Sequence, residues 1–171
     1  MIGELLKNIL RLLVFILLQV SIIKHLDLGN LINPFLYVIC LLMLPINMNK
    51  GWVILIAFAT GMIVDMFYNT MGMNAAACVF MAYCRPWVLS IYAPKGEYEA
   101  TAKPNIQTMG LTWVISYAGT LVFLHHLVLF YLEALTFSSF FFTFLKVILS
   151  SLATLVLILL SQVLMQRNTA R

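Results

Sequence analysis

Residues 50–74 read K-G-W-V-I-L-I-A-F-A-T-G-M-I-V-D-M-F-Y-N-T-M-G-M-N, from Lys50 to Asn74. Between Gly51 and Tyr68 the only charge is Asp65. A hydrocarbon core of about 30 Å needs about 20 helical residues to cross it, so this run reads as a membrane helix closed by an Asn-Thr-Met-Gly turn. Ala57, Gly61 and Asp65 recur at i, i+4 and share one helix face. Small residues on such a face let a second helix approach, and the acid then points into a bundle rather than at lipid. Beyond the turn, Gly72 opens another helix, in which Asn74, Cys78 and Ala82 form a second small stripe at the same spacing.

The composition fits that reading along the whole chain. Of 171 residues, 63% are hydrophobic and 9% charged, against about 45–50% and about 25% in soluble domains. Such a surface is solvated by lipid, which excludes an ordinary soluble enzyme, a disordered tail and a nucleic-acid binder. The net charge of +4 comes from basic residues at helix ends and is no nucleic-acid patch. Cys40, Cys78 and Cys84 lie inside apolar runs and read as packing residues, with no disulfide framework and no metal spacing.

Working outward, six spans are expected in one all-α domain covering 1–171: 5–26, 31–47, 51–68, 72–92, 109–131 and 146–166. The first reads as an uncleaved anchor, with Lys7 and Arg11 snorkelling to one boundary. It has few packing motifs, only Gln19 and Ser21 interrupting its aliphatic residues, which suits a helix at the bundle's periphery. The second is bracketed by Pro34 and Pro45, with Asn33-Pro34 as its helix start; it is short, so the bilayer thins there or the helix breaks. The fourth is interrupted at Arg85-Pro86. Residues 93–108 form a polar loop. The sixth is expected from Lys146, because a helix from Phe137 would be about 45 Å long. Phe137, Phe140, Phe141, Phe142 and Phe144 then read as an interfacial cluster, or as a helix lying on or re-entering the membrane.

Orientation follows from the positive ends. With both termini cytoplasmic, eight of the ten basic residues fall inside and only Lys24 and Lys146 outside. The expected localisation is a membrane crossed several times, with both termini on the cytoplasmic side.

Few residues suggest chemistry. Asp65 is either a coupling or partner-contacting carboxylate, or a cap for the turn at 69–74; the cap is preferred, and Asn would then replace it well. Arg85 is expected to snorkel to the cytoplasmic side rather than pair within the bundle. His125 and His126 are about 100° apart on a helix and cannot grip one metal as an i, i+4 pair does. Glu133 lies about 10 Å further along the axis. These three read as polar residues near the outer interface. Ser150 and Thr154 make a further packing stripe. No nucleotide, hydrolase or metalloprotease motif occurs, so no catalytic, cofactor-binding or metal residues are assigned.

The order of markers carries a resemblance. N-P-F-L-Y (33–37), L-L-M-L-P (41–45), the 50–74 stretch, and Y-C-R-P (83–86), followed by H-H-L-V-L-F-Y-L-E-A (125–134), resemble the bacterial rod-shape-determining MreD family. That family has a Pro-containing second span, a Gly-x-x-x-Asp span, and a turn glycine opening a small-residue helix. The matching positions are Pro34, Gly61, Asp65 and Gly72. Many members have Leu-His after the turn glycine, where this chain has Met73-Asn74. The resemblance implies a non-enzymatic scaffold of the cell-elongation machinery. Its partners would be an MreC-like single-span protein, peptidoglycan synthase membrane subunits and the MreB filament. It also implies a six-helix bundle like the substrate-binding subunits of energy-coupling-factor transporters. A small-molecule-binding subunit of such a transporter is the competing reading. Ala57, Gly61, Asp65, Asn74, Arg85 and Pro34 are the expected packing or partner-contact residues.

Overall fold

The computed structural model describes residues 2–21, 31–94, 98, 102–135 and 140–169. The end of the first expected span, including Lys24, and Lys95, Glu97, Glu99, Phe137 and Arg171 lie outside the described residues. All regular structure among the described residues is helical: α1 (Ile2–Ser21), α2 (Val38–Leu42), α3 (Lys50–Tyr68), α4 (Met73–Ile91), α5 (Ile106–Met109), α6 (Leu111–Ala134) and α7 (Phe140–Thr169). Three of these helices are long and apolar enough to cross a membrane: α3, α6 and the Phe140–Leu164 part of α7. These are features of a membrane protein. Helix α4 has 19 residues, as α3 does, but carries Arg85 and Asn74. The apolar part of α1 described is Leu10–Ser21.

The main packing runs α3 on α4, α4 on α6 and α6 on α7, with α1 against α2 and α3. The α3–α4 hairpin is the closest joint. A Cβ placed on Gly61 would fall on the Cα of Ala75, 2.6 Å from the Ala75 nitrogen and 2.8 Å from the Asn74 carbonyl oxygen. Only a glycine lets the first turn of α4 lie there. Asn69 ends α3 in the left-handed conformation, φ 55°, and Gly72 follows at φ 82°; these two reversals fold the chain back within a few residues.

The second expected span is not one helix. Residues 32–35 are irregular and only Val38–Leu42 is α-helical, so Asn33-Pro34 does not start a helix. The physical reason is competition for the backbone. Side chains from distant helices satisfy it: Gln19 Oε1 accepts from the Leu36 nitrogen (2.7 Å) and Gln19 Nε2 donates to the Pro34 carbonyl (3.2 Å). Ser150 Oγ accepts from the Asn33 nitrogen (2.9 Å) and Thr154 Oγ1 from the Phe35 nitrogen (3.0 Å). Irregular backbone in a membrane bundle is tolerated where protein groups replace water in this way.

Two further expectations change. Helix α4 runs unbroken through Pro86; the carbonyl left without its usual donor belongs to Ala82. Helix α7 begins at Phe140, not near Lys146. No proline or glycine separates the two, so Phe140, Phe141, Phe142 and Phe144 belong to its first turns.

Candidate functional site

Most of the polar residues singled out in the sequence meet in the interior. Asp65 Oδ1 accepts from the Thr70 hydroxyl, from the Asn74 backbone nitrogen (3.0 Å) and from Asn74 Nδ2 (3.0 Å), while Oδ2 accepts from the Ala75 nitrogen (2.9 Å). Gly72, the N-cap residue of α4, has no side chain to bond these amides. Asp65 supplies the missing cap from the neighbouring helix, and its charge sits at the positive end of α4.

Asn74 carries the polarity inward. Its amide nitrogen donates to Asp65 and to Thr70 Oγ1 (3.1 Å), which leaves Oδ1 to accept the Tyr37 hydroxyl proton (3.1 Å). The Tyr37 oxygen then accepts from His125 Nε2, 3.0 Å away, and from the Cys78 thiol, 3.6 Å away. His125 is therefore the Nε2–H tautomer. Its Nδ1 is a buried lone pair without a donor among the described residues. His126 takes the opposite tautomer. Its Nδ1–H donates to the Val122 carbonyl (2.8 Å), so Nε2 accepts the Thr154 hydroxyl (3.2 Å), whose oxygen in turn holds the Phe35 amide.

Both histidines are fully buried within the bundle and hydrogen-bonded there, which their sequence positions did not indicate. The irregular 31–37 segment lies in the bundle and brings Tyr37 to His125 and the Thr154-bound backbone to His126. A spacing argument could not find partners 88 and 28 residues away. Glu133 is not in this network. It pairs with Lys146 at 3.0 Å, and Lys146 Nζ lies 4.4 Å from the centre of the Phe130 ring.

Arg85 also departs from expectation. It is 4% exposed and does not snorkel. Its Nε donates to the Tyr117 hydroxyl (2.8 Å), and one terminal nitrogen donates to the carbonyls of Leu44 (2.5 Å) and Pro45 (3.3 Å). Tyr117 passes its own proton to the Leu42 carbonyl (3.2 Å). The carbonyls after α2 have no helix to continue into, and this pair satisfies them. Asn74, through Tyr37, thus holds one end of the 31–49 segment, and Arg85 with Tyr117 the other.

Among the described residues no three His, Cys, Asp or Glu side chains gather as a metal-binding set. Cys78 lies 3.7 Å from His125 Nε2, but both are sealed from any substrate. A cavity of about 170 Å³ lies beside the network, lined by Asn33, Phe35, Tyr68, Thr70, Phe130 and Glu133 among others.

No family model matches the chain, and no curated protein or solved structure matches it.

Proposed function

We propose that this chain is an MreD-like, non-enzymatic scaffold of the bacterial cell-elongation complex. In this reading it crosses the inner membrane six times, with α1, the 31–49 segment, α3, α4, α6 and α7 as the crossings and both termini in the cytoplasm. The observation that carries the reading is the joint itself. Of the residues of the resemblance, Gly61, Asp65 and Gly72 form the α3–α4 joint, and Pro34 lies in the irregular segment that Gln19 of α1 holds in place. A motif whose members all hold helices in place suits a protein that presents surfaces to other membrane proteins.

The partner surface in this reading is α1. Leu10, Leu13, Val14 and Leu17 are exposed on one face, while Phe15, Ile16 and Gln19 are buried. Gln19 Nε2 also donates to the Tyr68 hydroxyl (2.8 Å), a bond that favours the rotation in which that aliphatic face points outward. An MreC-like single-span protein would lie along it.

The second reading, a small-molecule-binding transporter subunit, draws on the 170 Å³ cavity and its polar and aromatic lining. Ligand pockets are commonly about 300–1,000 Å³, so the cavity is small for that role. Affinity purification in mild detergent separates the two. Co-purification of a single-span protein and peptidoglycan synthase subunits supports the scaffold. Co-purification of ATPase subunits supports the transporter and rejects the scaffold.

A further inference from the structure

A second cavity, of about 220 Å³, opens where the start of α3 faces the C-terminal half of α4, lined by Met48, Lys50, Val53, Ala82, Arg85 and Leu89 among others. Its lining includes two cations and no acid. Arg85 is the unusual one. A guanidinium this deeply buried is commonly paired with a carboxylate, yet among the described residues none pairs with it. Nε and one terminal nitrogen are used by Tyr117 and the carbonyls of Leu44 and Pro45. No acceptor for the other terminal nitrogen, Nη1, is found among the described residues. It belongs to a side chain that lines the cavity.

The surroundings define the level of this opening. Lys50 is the first residue of a helix of membrane-crossing length. Its ammonium lies 5.6 Å from the centre of the Tyr83 ring. Tyr83 packs edge-on against Trp87 at 5.1 Å, and Trp52, Tyr83 and Trp87 are all exposed. Exposed Trp and Tyr beside a lysine at a helix end are the mark of the headgroup layer. Leu55 and Phe58 continue from there as exposed apolar surface on α3.

We infer that the Arg85–Lys50 cavity binds a phosphate-bearing anion, supplied by the headgroup of an anionic phospholipid. The phosphate oxygens accept from Arg85 Nη1 and Lys50 Nζ, the two positive charges favour a net-negative headgroup over a zwitterionic one, and the acyl chains run along the exposed face of α3. The bound phosphate supplies the counter-charge that Arg85 lacks among the described residues.

The test uses the full chain purified in neutral detergent. Bound lipid is counted by native mass spectrometry, and the melting midpoint is read during titration with phosphatidylglycerol, phosphatidylcholine or inorganic phosphate. Retention of phosphatidylglycerol with a raised midpoint, and neither effect with phosphatidylcholine, is the expected result. Lys50→Gln, on an exposed side chain, should weaken phosphatidylglycerol binding about fivefold, and Lys50→Arg should restore it. Lys103→Gln, with the same change in charge, should leave it unaltered. Inorganic phosphate that raises the midpoint as well as the lipid does would keep the anion site and make free phosphate its source. Equal retention of both lipids, or a Lys50→Gln protein that binds as the parent does, would overturn the inference.

Discussion

Asp65 Oδ2 lies 2.9 Å from the backbone nitrogen of Ala75, in the first turn of the adjacent helix. An N-cap is usually supplied by the residue that opens the helix; here it comes from ten positions upstream, across the α3–α4 turn. Both carboxylate oxygens are used as acceptors, and this decides what a substitution does.

Asparagine offers one acceptor oxygen and one amide donor. In Asp65→Asn the NH2 group must face either the Ala75 amide or the Thr70–Asn74 donors, and both are donors themselves. The sequence-based expectation that Asn replaces a simple cap therefore does not carry over. Asp65→Asn should lose about 1–3 kcal/mol, and Asp65→Leu more. Unfolding midpoints of the two variants in detergent check the order. An asparagine variant as stable as the parent would mean that the carboxylate does not bond Ala75.

Gly61→Ala tests the approach that makes this cap reachable. The added methyl would meet the Ala75 backbone rather than a side chain that can rotate away. The helices must separate, at about 1–3 kcal/mol, and Asp65 then loses reach. Because the two effects share one joint, Gly61→Ala combined with Asp65→Asn should cost less than the sum of the single changes. Additive losses would show the two residues to be independent.

The stripes Ala57–Gly61–Asp65 and Asn74–Cys78 were legible in the sequence because they are local: i, i+4 spacing on one helix is a statement about geometry. Arg85 was misjudged, and the partners of His125 and His126 were missed, because those partners come from elsewhere. Tyr37 and the Thr154-bound backbone meet the histidines beside residues 32–35, which forgo helix and are held by Gln19, Ser150 and Thr154 from two other helices. The carbonyls of Leu44 and Pro45 meet Arg85 where the chain leaves α2. The polar residue in α1 and the pair in α7 were visible, but nothing in their spacing said that they would bind backbone. Pro34 and Pro45 signalled a break without saying what would fill it.

Tyr37→Phe removes the oxygen shared by Asn74, His125 and Cys78. Asn74 Oδ1 and His125 Nε2–H are then left buried without their partner, at about 1–3 kcal/mol. His125→Phe in the Tyr37→Phe background should cost less than His125→Phe alone, since the bond between them is already gone. A double-mutant cycle on the unfolding midpoint measures the coupling, and a value near zero would place Tyr37 and His125 outside one network.

Gln19 gives the last prediction, because it links the outward face of α1 to the irregular segment. Its amide makes three bonds: from Leu36, to Pro34 and to Tyr68. Gln19→Leu keeps the helix apolar and well suited to lipid, yet leaves a buried backbone N–H and C=O without partners. The loss should therefore appear as loosened attachment of α1 rather than failed insertion. Photo-crosslinkers at Phe15 and Ile16, which are buried in the parent, should capture only this chain in the parent and lipid or other proteins in Gln19→Leu. Crosslinkers at Leu13 and Leu17, already exposed, should capture an MreC-like partner in the parent and lose that yield in the variant. Unchanged capture at all four positions would mean that α1 keeps its orientation without Gln19, and that the aliphatic residues alone set the face it presents.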